Sequence, residues 1–380
     1  MMAINKGEGV SVVSLGSSLD KRQVSLWRNV ERRIFEDDPY YVPAFSISSK
    51  GEDTEFFVLY DGADAIGRAA ISINRQWIDE KGENLGFIDG FVIDPEYQEQ
   101  AGMLIEHCLS LLKERGFEGA VVRSNKFPAL ASQKLGRDVP PFCLPCNPPS
   151  YIDLFEGKGF VRYKEWANFR FKLPAKVPEV SIVRGKKCVT SLQVKTQSLN
   201  MRSRRHINGY IDLKKRILED HFGYAPQTFM DEVDSLPKHI FFVMLCLIAK
   251  FKIYVLENRS GEIIGFLSFC PNYNVAARPL LKSSGVFSSL LAIPKFILSL
   301  RRTKRVEIEA IGLTKEMRGK GFINLMDHGV KVMVNAGYKE LDTGPIPMEN
   351  TVVVKMVHYI QKKYGFDVEH MRYYTLLHRF

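Results

Sequence analysis

One order of elements can be read twice along this chain, and that recurrence constrains its fold more than any other feature. In the first half, Gln23–Phe35 has the spacing of an amphipathic helix and precedes the turn Asp37-Asp38-Pro39. Glu55–Tyr60 and Ala65–Ile73 read as strands around Asp61-Gly62, a hairpin turn. The strand Gly86–Ile93 and the helix Gly102–Arg115, stopped at Gly116, come next. The strand Ala120–Ser124, the helix Tyr151–Lys158 and the strand Glu165–Leu173 complete the set. The second half repeats it: helix Ile211–Asp220, strands Lys252–Glu257 and Ile263–Cys270, strand Val306–Leu313, helix Gly321–Ala336, strand Glu340–Thr343, helix Val352–Lys363 and strand Tyr373–Arg379. The expected fold class is α/β, as two tandem units, each a mixed and mainly antiparallel sheet flanked by helices. The expected boundaries are residues 1–175 and 191–380, joined by a basic, proline-flanked linker over 176–190.

Val306–Gly321 holds the chemistry. It reads as a strand, a short turn and a glycine-marked loop that opens a helix. N–H groups at a helix start have no intrahelical partner, and the helix dipole adds partial positive charge there. Gly319 and Gly321 let a phosphate approach the main chain, so the loop is a candidate pyrophosphate cradle. Glu307 and Glu309 share one face if the strand is regular. An anion cradle beside a candidate general base points to group transfer from a phosphate-bearing donor.

Arg318-Gly319-Lys320-Gly321-Phe322-Ile323 resembles the acyl-CoA loop of the GNAT acetyltransferases, Q/R-x-x-G-x-G/A, with Ile323 where that pattern has a small residue. Asn335-Ala336-Gly337-Tyr338 resembles the end of the family's long helix, and Lys362-Lys363-Tyr364-Gly365-Phe366 its later Gly-Phe turn. The whole chain is similar to bacterial proteins with two fused GNAT-like units. Asp37–Pro43, Asn147-Pro148-Pro149, Pro271-Asn272-Tyr273-Asn274 and Met348-Glu349-Asn350 resemble short segments of those proteins.

The resemblance implies acetyl-CoA or another acyl-CoA as co-substrate. It implies that Arg318, Gly319, Lys320, Gly321 and Phe322 surround the pyrophosphate. The thioester would lie along Ile311, Gly312 and Leu313, where a backbone N–H polarises its carbonyl. An amine would attack directly, with Glu307 or Glu309 as base and no covalent enzyme intermediate. Tyr359 and Tyr364 are the candidate acids for the leaving thiolate, although Gln361 stands at the family's usual place, four residues before the turn. Asn350 reads either as a donor contact or as the cap of the helix that starts at Thr351. The matching loop of the first half, Tyr97–Gly102, has one glycine, no basic residue and the acidic Glu99. The first unit therefore reads as degenerate, and the donor is assigned to the second.

At 380 residues the chain exceeds what a single core keeps compact. Its net charge of +10 favours anionic partners, among them a CoA-type molecule or an acidic membrane surface. No nucleic-acid-binding signature accompanies that charge, so nucleic acid is not an expected partner. Cys143 and Cys146 form a lone CxxC between prolines with no second pair at metal spacing, so no metal is expected. The first 20 residues lack a signal-peptide core, which points to the cytoplasm. Ile240–Ala249 is too short to span a bilayer. Val286–Leu300 is an apolar insert, broken or bent at Pro294, that ends in the basic Arg301–Arg305. It would line an acyl-chain pocket, rest on an anionic membrane, or pack inside the protein. The acceptor is thus a small-molecule or a lipid-like amine. The alternatives are long-chain transfer from CoA or an acyl-carrier protein, and an inactive ligand-binding protein of the same fold.

Overall fold

The computed structural model describes residues 9–35, 38, 52–75, 78, 82–124, 127–132, 140–141, 144, 147–176, 194–218, 251–276, 286–317 and 321–380. Two compact units divide the chain: Met1–Trp166 together with Met371–Phe380, and Ala167–His370. Cys143, Cys146, Ile240–Ala249 and most of Asp37–Pro43 lie outside the described residues, as do Arg318, Gly319 and Lys320.

The first unit runs β1 (Val10–Gly16), α1 (Lys21–Ile34), β2 (Glu52–Asp61), β3 (Asp64–Asn74), β4 (Leu85–Ile93), α2 (Ala101–Glu114), β5 (Gly119–Arg123), β6 (Leu130–Ala131) and α3 (Ser150–Glu156). Next comes β7 (Val161–Lys172), whose residues from Ala167 onward belong to the second unit. The second unit continues with β8 (Lys195–Ser198), α4 (Arg204–Leu218), β9 (Lys252–Glu257), β10 (Ile263–Pro271), α5 (Val286–Arg302), β11 (Arg305–Leu313), α6 (Phe322–Asn335), β12 (Glu340–Asp342), β13 (Ile346–Pro347) and α7 (Thr351–Tyr364). The last strand, β14 (Val368–Arg379), returns to the first unit from Met371 onward.

In the first unit the strand order is β1-β2-β3-β4-β5-β14, with β6 also on β14. Among the described residues, β4 and β5 pair in parallel, and the remaining pairings of this unit are antiparallel. Residues of β2 alternate between two apolar layers. Phe56 and Val58 join Trp27 and Val30 of α1, while Phe57 and Leu59 join Leu104, Ile105, Cys108 and Leu112 of α2. Helix α1 starts where its sequence signals it, at a capping box in which Asp20 accepts from Gln23 N–H and the Gln23 side chain accepts from Asp20 N–H.

The second unit repeats the plan with order β7-β12-β11-β10-β9-β8, and β13 on β7. Here β11 and β12 are the parallel pair. One face carries α6 and α7, through Leu325, Val330, Met333, Val357 and Ile360 packed on Phe169, Phe171, Leu267 and Ile308. The other carries α4, through Ile207, Tyr210 and Leu213 packed on Ile253, Val255, Phe266 and Ala310. Helix α5 runs through Pro294 as one helix, so the apolar insert is not broken there. Among the described residues, no helix is long and apolar enough to cross a membrane.

Candidate active site

Strands β11 and β12 pair over three positions only, Arg305↔Glu340, Val306↔Leu341 and Glu307↔Asp342, and then part. Beyond that point β11 keeps β10 on its other side. Thr314 N–H donates to Ile264 C=O, which makes the neighbouring pair Leu313↔Gly265 a non-hydrogen-bonded one. By the same alternation, the main-chain groups of Ile311 and Leu313 point away from β10 into the gap, while those of Gly312 point at β10. Gly312 has a packing role. A Cβ on it would lie 2.8 Å from Ile217 of α4 and 2.8 Å from the Phe266 ring.

The strand is not regular at the two glutamates. Ser268 pairs with Ala310 and Phe269 with Ile308, so Glu309 is the extra residue of a β-bulge. Both carboxylates still lie on the α4 face. Glu307 sits opposite the core-facing Val306 and Ile308 and beside Asp342, and it is 3% exposed. Glu309 is half-exposed, pairs with the Lys214 ammonium of α4, and accepts from Ser268 Oγ at 2.5 Å. Asp342, fully buried, accepts from Arg170 Nε at 2.8 Å and Asn168 Nδ2 at 3.0 Å. The Asn168 carbonyl in turn accepts from Gly344 N–H at 3.0 Å, fixing the chain where it leaves β12.

At the mouth of the gap, Gly321 N–H donates to Met317 C=O at 3.0 Å, and α6 starts without a side-chain cap. A Cβ on Gly321 would meet Leu256 at 2.9 Å and Leu313 at 3.1 Å, so glycine lets the helix start close against the sheet. The Phe322 ring is buried in the core, leaving only its N–H to a ligand. Asn324, in the first turn, is 3% exposed, and neither its amide nitrogen nor its oxygen has a partner among the described residues. An uncapped helix start with an unpartnered buried amide beside it fits a pyrophosphate-bearing donor.

The remaining candidates lie on α7. Asn350 is its N-cap, accepting from Val353 N–H at 3.3 Å. Tyr364 is buried; its hydroxyl donates to the Asp327 carboxylate, which Lys363 also holds at 2.7 Å. Tyr359 is 43% exposed.

The first unit has the same parting strands but fills the gap with its own side chains. There β4 and β5 pair from Leu85↔Gly119 to Asp89↔Arg123, and a bulge follows at Gly90 and Phe91. Asp94 N–H donates to Ile66 C=O, so Ile93 is the residue whose main chain faces the gap. The buried Tyr151 hydroxyl takes both of those groups, accepting from Ile93 N–H at 3.0 Å and donating to Ile93 C=O at 3.3 Å. Burial pushes the Tyr151 phenol well above its ordinary pKa, so it stays a neutral donor. Asp89, just before the bulge, is held by Arg123, whose Nε lies 3.0 Å from both oxygens. By contrast, no described side chain hydrogen-bonds to the main chain of Ile311 or Leu313. Lys214, Ser268, Asn168, Arg170, Asp342 and Tyr151 carry no motif that marks them in the sequence. Each acquires its place through a contact between distant segments.

Residues 22–136, within the first unit, match the model of the Acetyltransferase (GNAT) family. Among solved structures, the chain is similar to a tandem GNAT protein from the clavulanic acid biosynthesis pathway, determined without AcCoA. The identity is 10%, the TM-score 0.53, and the match covers 97% of this chain and 98% of that one. It is also similar to a GCN5-related glucosamine N-acetyltransferase region in a fungal multi-domain GH3 β-N-acetylglucosaminidase. That match has 12% identity and a TM-score of 0.56, covering 98% of this chain and 38% of the other. At these identities the likeness is one of fold. No curated protein matches the chain. A GNAT family match within the first unit thus stands beside a fold shared end to end with a tandem GNAT protein.

Proposed function

We propose that the chain is an N-acyltransferase that binds acyl-CoA in its second unit and passes the acyl group directly to an amine. The observation that carries this reading is the contrast between the two gaps. Among the described residues no side chain hydrogen-bonds to the Ile311 and Leu313 edge, whereas Tyr151 takes the equivalent edge at Ile93. Arg318–Gly321 and the first N–H groups of α6 hold the pyrophosphate. A thioester supplies an activated acyl carbonyl. The N–H of Ile311 or Leu313 stabilises the negative charge that develops on its oxygen. Glu309 takes the proton of the incoming amine once Lys214 moves aside, with buried Glu307 as the other candidate base. Because the Tyr364 hydroxyl is committed to Asp327, Tyr359 is the remaining tyrosine for the leaving thiolate.

The family match over 22–136 favours the opposite placement, with the donor in the first unit. Calorimetry with CoA decides between them. Gly319→Asp puts a carboxylate into the cradle and should abolish binding while the protein stays folded. Unchanged affinity in that variant would move the donor to the first unit. For the acceptor, a lipid-like amine is favoured by α5, where Leu298 is 48% exposed beside the exposed Arg301 and Arg302.

A further inference from the structure

Lys214 sits where a helix of this kind normally carries an apolar residue. The buried stripe of α4 runs Ile207, Tyr210, Leu213 and on to Ile217, and Lys214 lies on that side, one turn before Ile217. Its ammonium is therefore aimed at the sheet. It ends on Glu309, at the bulge, while Ile217 packs over Gly312 three residues further along β11. Glu309 is two residues from Ile311, about 7 Å along a strand. The amine thus stands beside the candidate base and within side-chain reach of the edge that receives the thioester. Both partners are only partly buried, with side-chain exposures of 25% and 28%. A pair of that kind adds little to stability on its own.

We propose that Lys214 is itself an acyl acceptor, so that the protein acylates its own α4. This rests on the placement of the donor in the second unit. The Lys214 ammonium gives a proton to the Glu309 carboxylate, and the nitrogen lone pair forms a bond to the thioester carbonyl carbon. The carbon–sulfur bond breaks, the nitrogen gives its second proton to the departing CoA thiolate, and Glu309 releases the proton it took to solvent. The product is an amide on Nζ. It has lost its charge, so it no longer neutralises Glu309, which is then available to a second amine.

The test is incubation of the full chain with acetyl-CoA, followed by intact-mass measurement and peptide mapping. The expected result is a single acetyl group on Lys214, gained faster as pH rises. Lys214→Arg, which keeps a cation against Glu309, should lose the adduct. Glu309→Gln should slow its formation by about 10²-fold or more with CoA affinity retained. If CoA binds and Lys214 stays unmodified, the inference is overturned. Acetyl groups spread over exposed lysines at a rate indifferent to Glu309→Gln would overturn it equally. Absence of CoA binding would remove the acyltransferase reading itself, and the inference with it.

Discussion

Tyr151 shows how one side chain separates two copies of the same fold. Its hydroxyl satisfies an N–H and a C=O that would otherwise face an apolar gap. Tyr151→Phe keeps the ring and removes both bonds. Leaving such buried groups unsatisfied costs about 1–3 kcal/mol, so urea denaturation should show a loss of that size. No loss would mean that water reaches Ile93. A second residue-scale effect concerns histidine. Burial holds His107, His328 and His378 below the ordinary histidine pKa; Lys331 adds to this at His328 and Lys113 at His378. The unfolded state then binds protons first. Stability is full above about pH 6.5 and falls as pH drops from there toward the lowered folded values. His328 packs edge-on to Tyr254, with ring centroids 4.6 Å apart. His328→Phe should flatten the decline in melting temperature between about pH 7 and pH 5.5; an unchanged decline would exclude His328 as a source of it. Residue types at the site were partly legible in advance. Glu307 and Glu309 could be named from strand spacing, but the bulge, and the Lys214 partner it meets, depend on which helix covers β11.

Among the elements, helices α2, α6 and α7 could be read from sequence to within one residue, and polar edge strands could not. Lys195–Ser198 has no β-branched run, and it becomes a strand because β9 offers it a partner. Helix α4 begins at Arg204, seven residues before the expected Ile211, with arginines in a first turn where the helix dipole disfavours cations. Packing of Ile207 and Tyr210 outweighs that local cost. The same packing makes Gly312 a sensitive point. In Gly312→Ala the new methyl must push Ile217 and Phe266 aside, at about 1–3 kcal/mol. Thermal melts should record that loss, and a stable variant would mean that α4 can slide on the sheet. For α5, Leu298→Glu should weaken binding to anionic vesicles if the helix meets a lipid surface, and wild-type binding should fall as salt rises. Equal binding by both proteins would remove the membrane reading.

On the scale of the whole molecule, the two units are not the two halves of the sequence. Residues from Ala167 onward open the second unit, and Met371–Phe380 complete the first. Strand patterning cannot reveal this exchange, because Glu165–Leu173 and Tyr373–Arg379 have the same alternation whichever sheet they join. In the first unit, Leu377, His378 and Arg379 pair with Val121, Ala120 and Gly119, while Tyr373 and Tyr374 pair with β6. Thr375 accepts from the buried Trp166 indole N–H at 2.9 Å, and Leu376 joins the core around Phe57 and Leu104. A chain ending at residue 370 would therefore lose the strand that pairs with β5, in a sheet encoded more than two hundred residues earlier. It would also expose the edge of β5, including its unpaired N–H and C=O groups. Hydrogen exchange should find that truncation speeds exchange across Gly119–Arg123 and Leu85–Ile93 far more than across Val306–Leu313. Supplying residues 368–380 as a peptide should restore protection. Full protection of β5 in the truncated chain would show that the first unit is complete without its borrowed strand.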